Sequence, residues 1–268
     1  MATTKTASST PKSKHHDDEE LSTMSLVDHL EELRWRIFKS LGAIVVGAIV
    51  AFFFRDQIMN FLQAPLPSQA NVLQDKAGHK LVTSGLTEGL TVVLILSGIV
   101  GFILALPVVL YQAWAFIAPG LYRHEKRNAI PFIFIGIILF VAGISLGYVV
   151  LRFPVEWLIS FQSSSFTQLV TADSYFKFVA IFILVFGLIF ELPLILTFLA
   201  RVGIVTAAGL ARKRVVAHIS MWTVSTFLTP GADFYSPIIL GVTMSCLYEL
   251  TIIFIKIFVK PDPEIDTE

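Results

Sequence analysis

The sequence predicts an all-α integral membrane protein with six transmembrane helices. Hydrophobic residues make up 55% of its 268 residues, and they are gathered into long runs separated by charged or turn-forming segments. Lys and Arg alternate between abundant and scarce from one such segment to the next, as in a chain that crosses a bilayer repeatedly. Only 15% of the residues are charged, against about 25% in soluble proteins. A soluble fold is therefore excluded.

The predicted spans follow from the apolar runs and differ in length. They are residues 37–54, 90–111, 129–151, 178–200, 215–228 and 238–255, all approximate. The first four approach or reach the roughly 20 residues that a bilayer requires. The fifth rises only about 21 Å, against about 30 Å of hydrocarbon, and Glu249 interrupts the sixth. A re-entrant or buried segment is the alternative for either, but the alternation of charged loops favours crossings.

The distribution of Lys and Arg predicts that both termini are cytoplasmic. With that orientation 15 of the 20 basic residues lie inside and five outside, in agreement with the positive-inside rule. Residues 1–23 are polar and predict a disordered cytoplasmic tail. Residues 24–258 are predicted to form the six-helix domain, and residues 259–268 a second cytoplasmic tail. No cleavable signal pattern precedes the first span, which is expected to act as the insertion signal.

Composition also excludes several classes of function. The net charge is zero and the basic residues are dispersed, so no nucleic-acid partner is expected. Cys246 is the only cysteine, which excludes an internal disulfide and a cysteine-cluster metal site. The sequence contains no metal-ligand spacing and no nucleotide motif, and we expect neither a metal nor a cofactor.

Two segments beside predicted spans are rich in polar and aromatic residues. Ser25–Arg36 has the periodicity of an amphipathic helix, in which Glu32 with Arg36 and Glu31 with Arg34 could simply be stabilising surface pairs. Further along, residues 111–122 carry the ring types that settle at a membrane boundary, before a basic loop. These rings are Tyr111, Trp114, Phe116 and Tyr122.

Several motifs in these segments and elsewhere resemble one family. They are His29-Leu-Glu-Glu-Leu-Arg34, Leu106-Pro107, Leu110-Tyr-Gln112, Trp114, Phe116-Ile-Ala-Pro119, Tyr122-x-His-Glu125, Ala64-Pro65-Leu66, Phe190-Glu191-x-Pro193 and Leu228-Thr-Pro230 followed by Asp233. Together they resemble TatC, the polytopic subunit of the twin-arginine protein translocase, from His29 to about Lys256. Thr87–Thr91 departs from the family pattern, which usually continues with aromatic residues.

The resemblance implies a receptor that binds twin-arginine signal peptides of folded cargo and catalyses no covalent reaction. It implies assembly with the small single-span subunits TatA and TatB or their equivalents, self-association, contact with membrane lipid, and export driven by the proton-motive force. The location would be a bacterial plasma membrane or a thylakoid membrane. Adjacent arginines pair bidentately with carboxylates, which lysine reproduces poorly. The residues implied for signal-peptide binding are Glu32, Arg34, Gln112, Phe116 and Glu125.

Glu191 is the carboxylate expected deepest in the membrane, where an ionised group is costly. A structural hydrogen bond, from Gln112 or a threonine, and a proton or solute pathway are both open from the residues alone. The resemblance adds a third role, a polar contact to the single-span partners. On the outer side Pro65 is expected to form a rigid turn. Asp233 could cap the last helix or act in function.

Two other functions compete with a translocase. Gly143-Ile-Ser145-Leu-Gly147 fits the pattern of serine hydrolases, and His218 would be its base. However, that motif needs a strand-to-helix turn, whereas this match lies inside an apolar run in which small residues favour helix packing. A secondary transporter would show related halves, and the sequence contains no convincing internal repeat.

Overall fold

The computed structural model describes residues 26–67, 74–75, 78–79, 81–117, 129–160, 170–229 and 233–258. Its helices are α1 Leu26–Phe53, α2 Arg55–Gln63, α3 Glu88–Ile117, α4 Ala129–Val150, α5 Arg152–Ser160, α6 Ala172–Ile189, α7 Leu192–Arg201, α8 Ala207–Arg212, α9 Arg214–Leu228 and α10 Tyr235–Phe258. Two short strands, β1 Gln74–Asp75 and β2 Gly78–His79, pair antiparallel with Gln74 opposite His79. Apart from these strands and an isolated bridge between Val82 and Thr171, the regular structure of these ranges is helical.

Five helical stretches in the described ranges are long and apolar enough to cross a membrane. They are His29–Phe53, Glu88–Phe116, Ile130–Ser160, Ala172–Arg201 and Tyr235–Phe258. Large apolar side chains such as Val46, Phe134 and Ile253 lie on their outer surfaces, more than half exposed. Such a surface is compatible with lipid and not with water. The chain is thus an all-helical, multi-pass membrane protein, as predicted. The predicted fifth span coincides with α9, which has only 15 residues.

Two predicted boundaries differ from the observed helices. The amphipathic segment and the first span form one continuous helix, α1, because residues 26–41 contain no Gly or Pro that would separate them. Residues 178–200 instead fall on two helices, α6 and α7, which meet at Phe190 and Glu191. Pro193 lies in the first turn of α7, where its missing N–H costs no helical hydrogen bond.

The helices pack in a connected series. α1 lies along α3, α3 and α4 flank α6, and α10 packs against both α7 and α9. The centre of the core is on α6, where Phe176, Phe182 and Phe186 are almost completely buried. Gly47 of α1 touches α3 directly, since a Cβ atom on it would lie 2.6 Å from the carbonyl oxygen of Gly101.

Tyrosine hydroxyls of α4 and α6 hydrogen-bond to α2 and hold it against these two helices. Tyr148 of α4 donates to the carbonyl oxygen of Phe61 at 3.0 Å, and Tyr175 of α6 donates to that of Leu62 at 2.8 Å. These carbonyls belong to the last turn of α2, where the usual helical donor four residues on is missing; that of Phe61 also accepts from the backbone N–H of Ala64 at 3.3 Å. Pro65 follows Ala64 and is half-buried. The predicted turn at Pro65 is therefore anchored to the helical core on its N-terminal side.

Candidate functional site

The candidate site lies where the beginning of α1 meets the end of α3. The two helices run antiparallel, so the first turns of α1 face the last turns of α3. We define the α1–α3 site by five residues that contact one another there. They are His29, Glu32, Arg36, Gln112 and Phe116.

Arg36 joins the two helices through its guanidinium. Its Nε donates to Glu32 Oε1 at 3.1 Å, and a second guanidinium nitrogen forms an ion pair with the same oxygen. Its Nη1 also reaches the side-chain oxygen of Gln112 on α3, at 3.5 Å. Both charged side chains are about four-fifths buried, with 20% of Arg36 and 21% of Glu32 exposed. The pair therefore links α1 to α3, whereas a surface pair would stabilise only its own helix.

The second oxygen of Glu32 is free. Glu32 Oε2 is buried and has no hydrogen-bond partner among the described residues. The imidazole of His29 lies beside it, with Nδ1 4.0 Å away, and the His29 ring stacks on Phe116 with centroids 4.3 Å apart. A buried carboxylate oxygen without a donor costs about 1–3 kcal/mol, and a guanidinium that reached it would remove that cost.

The α1–α3 site contains three of the five predicted binding residues. Glu32, Gln112 and Phe116 are together, but Arg34 is two residues from Glu32 on the helix and therefore points elsewhere. Its guanidinium lies 5.7 Å from the centre of the Phe38 ring. The fifth, Glu125, lies outside the described residues.

Sequence reasoning missed His29 and Arg36 as members of the site. His29 precedes Glu32 by three residues and Arg36 follows it by four, which places all three on one helix face. This spacing can be read from the sequence, but it fits a surface ion pair equally well. Trp114 also differs from expectation: predicted at the membrane boundary, it is buried against Phe132 and Phe198.

Glu191 lies at the junction of α6 and α7 and is only 6% exposed. Neither carboxylate oxygen has a hydrogen-bond partner in the described ranges. The hydrogen bond considered from Gln112 is absent, and the side-chain oxygen of Gln112 accepts from Arg36. Glu191 faces Gly136 of α4, where a Cβ atom would lie 3.4 Å from Glu191 Oε2. The lack of a side chain at Gly136 leaves room for this carboxylate between the helices.

Asp233 caps the start of α10. It accepts hydrogen bonds from the backbone N–H and the hydroxyl of Ser236, both at 2.6 Å. It is 7% exposed, so these bonds provide the partners that a buried carboxylate needs. The capping role considered for Asp233 is therefore present in the structure.

The serine and histidine of the hydrolase alternative are separately engaged. Ser145 donates to the carbonyl oxygen of Val141 on its own helix at 2.7 Å. His218 contacts Ser245 at 3.1 Å and Glu249 at 3.2 Å, and Arg214 forms an ion pair with Glu249 at 2.9 Å. The Ser145–His218 pair is therefore not formed, and the polar residues of α9 and α10 join these two helices.

Comparisons with known proteins identify the family to which this chain belongs. The family model described as Sec-independent protein translocase protein (TatC) matches residues 28–242. The chain belongs to the TatC family. TatC is a protein translocase subunit, and the matched range includes every residue of the α1–α3 site together with Glu191 and Asp233.

Curated relatives and solved structures also support membership of the TatC family. The TatC of Desulforapulum autotrophicum is 35% identical over 234 residues, which cover 87% of this chain and 84% of that protein. The TatC of Aquifex aeolicus is 33% identical over 248 residues, covering 90% and 99%. A crystal structure of the twin arginine translocase receptor TatC superposes with a TM-score of 0.73 at 32% identity, covering 87% of this chain and all of that one. Another, in DDM, gives 0.71 at 32% identity, covering 84% and 98%.

Proposed function

We propose that this protein is the receptor core of a twin-arginine translocase, in which the α1–α3 site binds the paired arginines of a signal peptide. The observation that supports the proposal is the buried, unpartnered Oε2 of Glu32 beside the stacked rings of His29 and Phe116. One guanidinium of the signal peptide pairs with this oxygen. Glu125 supplies the second carboxylate, Gln112 and Arg34 assist, and Phe116 packs against the peptide.

Binding of the signal peptide requires a rearrangement at Glu32. The oxygen is buried and His29 lies beside it, so the peptide has to displace the imidazole or rotate the carboxylate. Arg36 holds the other oxygen throughout and keeps Glu32 oriented. Arginine suits this role because its planar fork reaches one oxygen while its stem packs on an aromatic ring.

The proposed orientation places the α1–α3 site in the cytoplasm, together with both termini. It requires six crossings, α9 being the short fifth one. The proposal further includes assembly with TatA and TatB or equivalent single-span subunits, for which Glu191 is the polar contact within the membrane. Transport of the folded precursor then uses the proton-motive force of a bacterial plasma membrane or a thylakoid membrane.

A matched pair of variants tests the signal-peptide site. Glu32→Ala removes the free oxygen, whereas Glu31→Ala removes an adjacent exposed carboxylate. We expect Glu32→Ala to reduce crosslinking of a twin-arginine precursor roughly tenfold or more, because a hydrogen bond to a charged group contributes about 1.5–3 kcal/mol. Glu31→Ala should leave crosslinking near normal. Equal crosslinking by both variants, at equal abundance in the membrane, would refute the assignment of Glu32.

A further inference from the structure

A groove runs along the outer surface where α4, α7 and α10 meet. Its volume is about 500 Å³, and its lining is almost entirely apolar. Leu194 and Phe198 of α7 form a buried floor. Ile135 of α4 and Leu250 of α10 form the walls, with 45% and 61% of their surface exposed. These exposed walls open the groove to the membrane.

Among the residues that the structure describes, Arg201 is the only charged one in the lining of this groove. It lies in the last turn of α7 and is exposed. Its guanidinium forms no ion pair and no hydrogen bond with any residue in the described ranges. The groove thus has an unpaired cation at one end and apolar walls along the rest.

The length of the groove corresponds to one leaflet of a bilayer. It follows α7 from Pro193 to Arg201, a stretch that rises about 12 Å. This is a little less than half of the roughly 30 Å hydrocarbon core. Arg201 therefore lies near the headgroups when Pro193 lies near the midplane. With the orientation proposed above, the leaflet is the cytoplasmic one.

We propose that this groove binds the acyl chains of a phospholipid whose anionic headgroup pairs with Arg201. Basic pockets between transmembrane helices on the cytoplasmic side are typical of anionic-lipid sites. A partner helix suits the groove only if it brings an acidic group to the level of Arg201, whereas every anionic phospholipid carries one in its headgroup. This site goes beyond the proposed function, since it concerns lipid and not cargo.

The test measures lipid retained by the purified full-length chain. The protein is exchanged into mixtures of phosphatidylglycerol and phosphatidylcholine, and native mass spectrometry reports the bound lipid. We expect selective retention of phosphatidylglycerol, reduced about fivefold by Arg201→Gln and largely kept by Arg201→Lys. Arg212→Gln is the matched control, because Arg212 is an exposed basic residue at the end of α8, outside the groove lining. It should retain lipid as the unmodified chain does.

A second pair of measurements tests the apolar part of the site. Ile135→Trp should fill the groove and lower the retention of both lipids. A photoreactive residue in place of Leu250 should capture lipid in native membranes. Three results would each overturn the proposal. The first is equal retention of the two lipids by the unmodified chain, and the second is retention that Arg201→Gln leaves unchanged. The third is capture of a single-span subunit, in place of lipid, at position 250.

Discussion

Glu32 and Glu191 are carboxylates with unpartnered oxygens, but their surroundings differ. Glu32 has one oxygen held by Arg36 and one free, near the beginning of α1. Both oxygens of Glu191 lack a partner among the described residues, in the middle of an apolar helix pair. An unpaired buried polar group costs about 1–3 kcal/mol, more if charged. The structure thus gives Glu32 the properties of an ion-pairing group. Glu191 has the properties of a hydrogen-bonding group that lacks a donor among the described residues.

Substitution of Glu191 should affect assembly more than stability. Since Glu191 makes no hydrogen bond with the described residues, Glu191→Ala removes no bond of the fold, and the protein should insert and bind signal peptide normally. We expect it to lose crosslinks from α7 to the single-span subunits, and with them transport. Glu191→Gln should retain part of both, because an intramembrane hydrogen bond contributes about 0.6–2 kcal/mol.

The measurement is site-specific crosslinking from exposed positions of α7, such as Ile195, with abundance in the membrane as the control. Normal crosslinks and transport in Glu191→Ala would leave Glu191 without a role in assembly. Low abundance of the Ala variant, restored by Gln, would instead indicate a structural hydrogen bond.

The crossing of α1 and α3 determines the geometry of the α1–α3 site. The two helices approach most closely at Gly47 and Gly101, where backbone meets backbone. Small residues permit such approaches between membrane helices, and the packing they allow is the main attraction available in lipid. Glu32 and Arg36 are on one of these helices and Gln112 and Phe116 on the other. The distance between the two halves of the site therefore depends on this glycine contact.

Gly101→Ala should separate α1 from α3. A Cβ atom there would collide with the backbone of Ala48, so the helices have to move apart at a cost of about 1–3 kcal/mol. We expect lower abundance in the membrane and weaker precursor crosslinking. Gly98→Ala is the control on the same helix, because a Cβ atom at Gly98 meets nothing within 4 Å. Equal abundance and equal precursor crosslinking for the two variants would show that the glycine contact does not determine the geometry of the α1–α3 site.

In the proposed six-span arrangement, α9 is shorter than the bilayer that it has to cross. Its 15 residues rise about 22 Å, against about 30 Å of hydrocarbon. α10 beside it has 24 residues but carries Glu249, which pairs with Arg214 at the start of α9. Membranes accommodate a short hydrophobic stretch by thinning, by snorkelling of flanking residues or by association of helices. We infer that the bilayer is thinner beside α9 than elsewhere around the protein.

Lengthening α9 should impair transport while leaving precursor binding intact. Five leucines inserted into residues 215–228 add about 7.5 Å and restore an ordinary span length. The control replaces the exposed Ser220, Thr223 and Thr226 by leucine, which raises hydrophobicity without adding length. Transport and precursor crosslinking are measured for both variants at matched abundance. Full transport by the lengthened variant would exclude local thinning as part of the mechanism.

The amino-acid sequence by itself determined the class of the protein, the positions of most helices and the family. These depend on local patterns: apolar runs long enough for a bilayer, alternating basic loops, and short motifs such as His29–Arg34 and Phe190–Pro193. The membrane makes this prediction unusually direct, because a helix must satisfy its own backbone in lipid. Such motifs were enough to identify candidate site residues, namely Glu32, Gln112, Phe116 and Glu191. They could not predict the contacts that these residues make.

Only the tertiary structure decided which side chains meet. Arg36 and Gln112 are 76 residues apart, and their contact depends on the crossing angle and register of α1 and α3, which no local pattern encodes. The same holds for the stacking of His29 on Phe116, the burial of Trp114 and the separation of Ser145 from His218. The groove beside Arg201 belongs to three helices at once. Such features depend on how helix surfaces fit together, and that fit is a property of the packed molecule.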